Sequence, residues 1–338
     1  MKVSQKAYIR KIRYAVQLWF LLFCIYIGYR FFQFVAHFET SGQPFVQRPP
    51  SVEGFLPIAG FMSLKYFVFT GIIEPIHPAA MILFVAIVVI SLFMKKGFCG
   101  WICPIGTISQ YLWMAGRRLF GRNFIIKKEI DIPLRAIKYL IMALFLILIG
   151  IAMTPNMMIL FFITDYYKIV DVRTMKFFTE MSRTTLVVLS ALVLLGLLYK
   201  NFWCRYLCPY GALLGLVSIL SPLKIKRNEE HCMHCRKCSE NCPSLIDVEK
   251  KTIISSPECY GCLTCVSHCP SEGALGVTMR TNRSRIVVKP VFYIISMLIV
   301  FYLFIGIGKF TGHWESKLPY GEYKRLLTPQ VKDVLKEQ

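Results

Sequence analysis

Residues 232–243 read CMHCRKCSENCP, and residues 259–270 read CYGCLTCVSHCP. Both stretches follow one pattern, Cys-x2-Cys-x2-Cys-x3-Cys-Pro. Three thiolates at this spacing can wrap one iron–sulfur cubane. The fourth, ahead of a proline, turns away and ligates a second cluster. The expected ligand sets are therefore Cys232, Cys235, Cys238 and Cys269 for one [4Fe–4S] cluster, and Cys259, Cys262, Cys265 and Cys242 for another. Thiolates also suit zinc. Structural zinc sites, however, use pairs of Cys-x2-Cys rather than triplets with a trailing Cys-Pro. The chemistry that follows is one-electron transfer.

The chain around these motifs has 338 residues, 55% of them hydrophobic, 14% aromatic and only 17% charged. A soluble chain carries about a quarter charged residues. The apolar residues come in runs that approach the roughly 20 residues needed to cross a bilayer. Five spans are expected, at Tyr14–Val35, Pro78–Met94, Ala136–Met153, Thr184–Tyr199 and Val291–Gly308. The first follows Lys2, Lys6, Arg10, Lys11 and Arg13 in the manner of a signal peptide. It is too long for one and lacks a small-residue cleavage site, so it reads as an uncleaved anchor. The expected division is a membrane domain over 1–223, a soluble module over 224–289, and a fifth span with a short tail over 290–338.

Basic residues set the expected orientation. Segments 1–13, 95–138 and 199–289 carry 27 Lys and Arg, against 12 in segments 39–75, 154–183 and 309–338. The bias places the N-terminus and the soluble module in the cytoplasm and the C-terminus outside the inner membrane. A reducing compartment argues against a disulfide framework for the 13 cysteines. The net charge of +21 is spread over loops flanking the spans, without a nucleic-acid motif, so nucleic acid is not an expected partner.

Four further cysteines form a second constellation. Phe98-Cys99-Gly100-Trp101-Ile102-Cys103-Pro104-Ile105-Gly106 follows the second span. Trp203-Cys204-Arg205-Tyr206-Leu207-Cys208-Pro209-Tyr210-Gly211 follows the fourth. Each copy has a span, an outer semi-apolar stretch (Phe55–Ile73 or Met157–Val170, read as interfacial helices), a second span and then the motif. This is a parallel internal repeat about an axis along the membrane normal. The spacing places two thiols on one face of a helical turn, and proline ends that turn. Four thiolates brought together suit a third metal or iron–sulfur centre. A dithiol redox pair and simple burial are the alternatives. Cys24, alone in the first span, reads as a packing residue.

With both constellations in view, the chain resembles the membrane-bound polyferredoxin family. Its relatives include the quinol-oxidising membrane subunit of periplasmic nitrate reductase, the C-terminal half of the nitrous-oxide reductase regulator and a copper reductase of cytochrome oxidase assembly. The shared marks are Cys99-x3-Cys103-Pro104, Cys204-x3-Cys208-Pro209 and the two cluster motifs, over roughly residues 76–270. An N-terminal flavin domain and a sizeable C-terminal extracytoplasmic domain are not expected. The resemblance implies an α-helical integral membrane protein with a small α+β bacterial-type 2[4Fe–4S] ferredoxin module. It also implies electron transfer between the quinone pool and a redox protein partner. A metal (copper) reductase and a redox-sensing regulatory or assembly protein are the competing functions.

For a quinone, the outer face offers His37 and Glu39 after the first span, and Glu74 and His77 before the second. Quinol oxidation releases protons, which a carboxylate or imidazole at the membrane rim would accept. Met153, Met157 and Met158 read as packing residues rather than copper ligands. Arg236 and Lys237, inside the first cluster motif, suit tuning of the cluster or docking of a partner. No phosphate-loop or dinucleotide motif is present.

Overall fold

The computed structural model describes residues 3–40, 42–280 and 285–328. Lys2, Arg283, Lys332 and Lys336 of the basic count, and residues 329–338 of the expected tail, lie outside the described residues. Helices dominate, and three are long and apolar enough to cross a membrane: Tyr8–Glu39, Lys128–Ala152 and Pro290–Phe310. The fourth expected span, over Arg183–Leu198, qualifies only when joined to Val170–Thr179 across a 75° bend. The second, Pro78–Met94, has 17 residues. At 1.5 Å per residue it covers about 26 Å, short of a hydrocarbon core of roughly 30 Å. By length and composition, three helices among the described residues qualify, or four with the bent pair taken as one. Ala79, Ala80, Ala86, Ile87 and Ile90 of Pro78–Met94 are all at most 3% exposed. A helix apolar all round is buried by whatever surrounds it, and protein serves as well as lipid.

The described residues divide into two compact units. The first contains the ferredoxin module and both Cys-x3-Cys motifs. The module is a four-stranded antiparallel sheet of β1 (Leu223–Arg227), β2 (Ile253–Ile254), β3 (Leu275–Arg280) and β4 (Arg285–Val288), in the order β2-β1-β3-β4. Ile225 pairs with Ile254 on one side and Val277 on the other. All three are buried, on the face that covers the cysteine loops together with Val248, Leu263, Val266 and Ala274. The alternation in Leu223-Lys224-Ile225-Lys226 supplies that half-buried strand. In the same unit, the Pro104–Phe120 helix lies against Arg183–Leu198 so closely that a Cβ at Gly116 would run into the Leu197 carbonyl.

The second unit packs two short-helix regions, near the stretches expected at the interface, against each other. Pro57–Thr70 and Pro155–Phe162 share a core of Leu56, Ala59, Met62, Tyr66, Met158, Phe162 and Tyr167. Lys128–Ile147 ends in a π-type turn, Leu148–Ala152. Such a turn frees carbonyls, and Lys65 Nζ donates to those of Ile149 (2.9 Å) and Met153 (2.5 Å).

This unit also buries a charged network. Arg48 holds Glu53 at 2.8 Å and Asp171 at 2.7 Å, with all three side chains at most 6% exposed. Glu53 also accepts the Ala80 N–H at 2.9 Å, placing a carboxylate at the N-terminus of Pro78–Met94, where the helix dipole favours it. His77 completes the set. Its Nδ1 faces Glu53 Oε1 at 3.3 Å and its Nε2 faces the Tyr167 carbonyl at 2.9 Å. Nδ1 also lies 3.3 Å from the Arg48 guanidinium, so it sits between an acceptor and a donor, whereas Nε2 meets an acceptor alone. Burial alone would lower the His77 pKa, but Glu53 outweighs it and the pKa is raised.

Two outcomes are expected. Gly116→Ala overpacks a closed helix contact and should cost about 1–3 kcal/mol. Gly150→Ala, where a Cβ meets only Phe61 at 3.8 Å, should be neutral; thermal unfolding of the two variants should separate them. A folded pKa above the ordinary value makes the His77 contribution fully present below about pH 6.5 and lost as pH rises through the folded pKa. The melting temperature should therefore fall over that window, and His77→Gln should flatten the fall. Parallel pH profiles for the two proteins would refute the charged assignment.

Candidate functional site

The two cluster motifs take the same backbone course. His234 and Arg236 in the first, and Gly261 and Leu263 in the second, have φ of 51°, 58°, 58° and 56°. These are equivalent positions, before and after the middle cysteine. Three are not glycine, and each left-handed L-residue costs roughly 1–2 kcal/mol. Alternation of hand turns successive N–H groups to one side, a concavity that receives anions and iron–sulfur clusters. A short helix follows in each copy, Lys237–Glu240 and Thr264–His268.

Cys232, Cys235, Cys238 and Cys269 line one small pocket together with Met233 and Arg236. Cys235 is exposed and Cys238 buried. Four soft donors converging on one pocket fit a [4Fe–4S] cluster. In the other set Cys242, Cys259, Cys262 and Cys265 are all buried. Cys265 lies within electrostatic range of the other three. Burial pushes the Cys242 thiol up to about 12, so that thiol stays neutral until a metal displaces its proton. This donor set fits a cluster as well.

The Cys-x3-Cys motifs are also local copies of each other. Each closes with a wide i→i−5 bond in place of the expected plain helical turn: Cys103 N–H donates to Phe98 O at 2.9 Å, and Cys208 N–H to Trp203 O at 3.0 Å. Next, Thr107 N–H donates to Cys103 O at 3.1 Å and Ala212 N–H to Cys208 O at 3.2 Å. Pro104 and Pro209 then open the helices Pro104–Phe120 and Pro209–Val217, where a missing N–H costs nothing. Gly106 is required, because a Cβ there would strike the Cys99 carbonyl. Cys204 lies within electrostatic range of Cys208, Cys103 and Cys99, so the two pairs face one region. Among the described residues no three His, Cys, Asp or Glu side chains surround a single metal ion. That holds for the ferredoxin cysteines too. Four thiolates on one ion lie about 3.8 Å apart, from metal–sulfur bonds of about 2.3 Å; a cubane keeps its four farther apart.

The two constellations touch. A Cβ on Gly100, beside Cys99, would lie 2.9 Å from the Tyr260 carbonyl and 3.2 Å from Cys262 Cβ. Trp101 Nε1 donates to Gly261 O at 3.1 Å. The second copy reaches the same set of cysteines from the Cys242 side. Lys200 Nζ donates to Glu240 O at 2.8 Å, Asn201 Nδ2 to Pro243 O at 3.3 Å and Arg205 Nη1 to Ser244 O at 2.6 Å. Arg205 is itself held by Asp131 at 2.9 Å.

Sequence reasoning missed the charges between the constellations. Lys96 and Lys138 are fully buried. Lys138 Nζ lies 2.7 Å from Glu258, the residue before Cys259, and Lys96 Nζ lies 3.7 Å from it. Burial alone would raise the Glu258 pKa, but the two ammonium groups hold it down to about 2. Lys96 also sits over the Tyr260 ring at 4.9 Å and, with Lys138, within range of Cys99 and Cys208. Their positions after an apolar run and inside another resemble ordinary span-flanking residues. Nothing in the local sequence signals their burial.

The quinone candidates separate. Glu74 accepts the N–H groups of Ile76 (2.6 Å) and His77 (2.8 Å), and with His77 it lies inside the closed network of Arg48 and Glu53. His37 stands apart, bonded to Gln43 O at 2.6 Å and Tyr320 Oη at 2.9 Å. It packs on Phe45, which with Phe34, Phe38, Tyr320, Tyr323 and Arg48 lines a cavity of about 150 Å3. Arg48 joins that cavity to the network. Met158 is core and Met157 is exposed, so the methionines do not assemble.

A family model described as a 4Fe-4S binding domain matches twice, over residues 76–123 and 184–228. Each match holds one Cys-x3-Cys-Pro motif. A 4Fe-4S dicluster domain matches residues 224–285. YccM of Escherichia coli strain K12, whose name describes an electron transport protein, is 42% identical over 94% of this chain and 90% of its own length. Protein NirI of Paracoccus denitrificans is 29% identical over 62% of this chain and 30% of its own length. The ferredoxin-type protein NapH of E. coli K12 is 26% identical over 60% of this chain and 70% of its own. No solved structure matches. With its 4Fe-4S domains, its membrane-length apolar helices and these relatives, the chain belongs to the family of membrane polyferredoxins related to NapH and NosR, and its work is iron–sulfur electron transfer.

Proposed function

We propose that the protein passes electrons between the quinone pool and a redox partner on the cytoplasmic side, through two ferredoxin-type [4Fe–4S] clusters and a third centre held by Cys99, Cys103, Cys204 and Cys208. Bound clusters supply one-electron transfer; the protein's residues order the sites and set their fields. The observation that carries the reading is the contact of Gly100 and Trp101 with Tyr260, Gly261 and Cys262. It makes the set of Cys242, Cys259, Cys262 and Cys265 the neighbour of the Cys-x3-Cys thiols. The half-open set of Cys232, Cys235, Cys238 and Cys269 then presents itself to a soluble partner, with Arg236 beside it.

Several features support the finer parts. The duplicated model match and the shared i→i−5 closure favour a parallel repeat of two span pairs. In that arrangement Pro78–Met94 and Arg183–Leu198 act as short spans within protein, making five in all. The basic bias favours the N-terminus and ferredoxin module inside and the C-terminus outside. For the quinone, the aromatic cavity beside His37 and Tyr320 offers a flat apolar wall, and Arg48 leads from it to Glu53, His77 and Glu74. Four cysteines within range of one another favour a metal centre, which takes four thiolates, over a dithiol, which uses two. A copper reductase would require a path from these thiols to an arriving ion; the contacts found lead to the ferredoxin loops.

Iron analysis of anaerobically purified protein tests the reading. Two cubanes give about eight iron per chain, and a third of the same type about twelve. Cys204→Ser should remove only the excess over eight. Cys269→Ser should damage the cluster of the first triplet and Cys242→Ser that of the second. Stoichiometric zinc without iron would end the proposal.

A second measurement addresses the buried lysines. Removing one positive charge beside an anionic centre should lower its reduction potential by on the order of 50–100 mV, the equivalent of about 1–2 kcal/mol for one electron. Lys138→Met should show this for the third centre and for the neighbouring cluster, with little change at the cluster of Cys232. Lys138→Arg should restore the potentials. Uniform shifts at every centre would point to general loosening instead.

A further inference from the structure

A further cavity in the first unit borders both cluster motifs, through Asn241, Pro243, Thr264 and His268, but no cysteine lines it. It has a volume of about 350 Å3, and its wall carries Arg13, Gln110, Trp113, Arg117 and Arg118, with no Asp or Glu. Arg13 is 7% exposed. It is fixed by three bonds, donating from Nη1 to Thr264 Oγ1 at 2.5 Å, from Nη2 to Gln110 Oε1 at 2.5 Å and from Nε to Gly100 O at 3.2 Å. Arg117 and Arg118 make no hydrogen bond or ion pair among the described residues. Three guanidinium groups around an acid-free cavity raise its potential and draw an anion. Their planar forks match phosphate oxygens.

The helix that carries the two free arginines shows where such an anion comes from. Pro104–Phe120 buries Thr107, Gln110, Trp113 and Gly116 and exposes Ile105, Ile108, Leu119 and Phe120. An outward apolar face with arginines in the last turn is the pattern of a helix seated at the headgroup level of a bilayer.

We propose that this cavity binds the phosphate headgroup of an anionic phospholipid, held between Arg117, Arg118 and Arg13. The site is wired to the electron path. Arg13 bonds Thr264, whose Oγ1 lies 3.2 Å from Cys262 Sγ. A bound anion therefore disfavours added negative charge at the cluster assigned to Cys262 and lowers its reduction potential. The binding half of the proposal is independent of the electron-transfer reading; the coupling half rests on it.

The test uses full-length protein, delipidated in a neutral detergent. Native mass spectrometry measures retention of phosphatidylglycerol, phosphatidylcholine or inorganic phosphate. Phosphatidylglycerol should bind on the order of 30-fold more tightly to the wild type than to an Arg117→Gln, Arg118→Gln double variant, at about a few-fold to tenfold per charge removed. The corresponding double lysine variant should keep most of the affinity, and phosphatidylcholine should not discriminate. Unchanged iron content in each variant confirms that it has folded. Inorganic phosphate binding as tightly as the lipid, and lost in the glutamine variant, would keep the anion site and overturn the lipid assignment. Equal phosphatidylglycerol affinity in wild type and glutamine variant would overturn the site itself. Potentiometric EPR adds the coupling arm: phosphatidylglycerol should lower the potential of the second cluster in the wild type alone. Binding without a shift would refute the coupling and leave the site standing.

Discussion

The arrangement turns on one buried carboxylate between two buried ammonium groups. Glu258 directly precedes the second cysteine triplet, Lys138 belongs to a membrane-length helix, and Lys96 directly precedes the first Cys-x3-Cys segment. The contact ties three separate pieces of chain at the point where they must meet. Burying an ion pair costs several kcal/mol per ion before attraction repays it. Such a triad persists only if the geometry holds every member. Two lysines against one glutamate also leave a net positive charge in a low-dielectric site. On its own that charge is a liability. Beside thiolate ligands it becomes the counter-charge that an anionic centre needs, which links the stability of this region to its proposed chemistry.

The two Cys-x3-Cys copies share their backbone closure but dock differently. The first meets the ferredoxin loops through Gly100 and Trp101, in close backbone contact. The second uses long polar side chains, Lys200, Asn201 and Arg205, all donating to carbonyls just around Cys242. Duplication supplies two equivalent scaffolds, while the ferredoxin module is a single body that cannot present the same surface to both. The copies therefore diverge where they touch it. The first contact is short and brings backbone against backbone, which suits a path for electrons. The polar contact fixes orientation, through directional bonds to carbonyls that would otherwise be unpaired.

How much of this was readable from the chain follows from the range of each interaction. The ferredoxin ligands are set by spacings of two and three residues, so local sequence carries them. The left-handed positions were partly visible, since Gly261 marks one and His234, Arg236 and Leu263 give no such sign. Hydropathy does not tell a helix surrounded by lipid from one surrounded by protein, so the apolar run of Pro78–Met94 gives its composition but not what surrounds it. The basic count treated every lysine and arginine as solvated. Lys96 and Lys138 are instead fully buried. Their partner Glu258 is 120 residues from Lys138, and no local pattern encodes that distance. His77 and Glu74 stood out in the sequence as ionisable groups at the expected membrane rim. Their neighbours Arg48 and Glu53 come from one other segment and Asp171 from a second, and only the assembled unit shows the network to be closed.

Exposure orders the sites in the proposed scheme. The set of Cys242, Cys259, Cys262 and Cys265 is wholly buried, whereas Cys235 of the other set is exposed. Solvent stabilises the more negative, reduced form of a cluster, and burial opposes it unless protein charges compensate. The compensating charges lie at the buried set: Lys95 and Lys96 within range of Cys259, and Lys138 on Glu258. Around Cys232 and Cys235 the charges come in pairs: Arg236 with Glu249 at 3.9 Å, and Arg227 with Glu229 at 2.9 Å. Water serves the outer set and buried lysines serve the inner one, so two clusters held by the same motif need not differ greatly in potential. A chain of centres with matched potentials conducts in either direction. The direction of flow is then set by the partner at each end rather than by the ligands themselves.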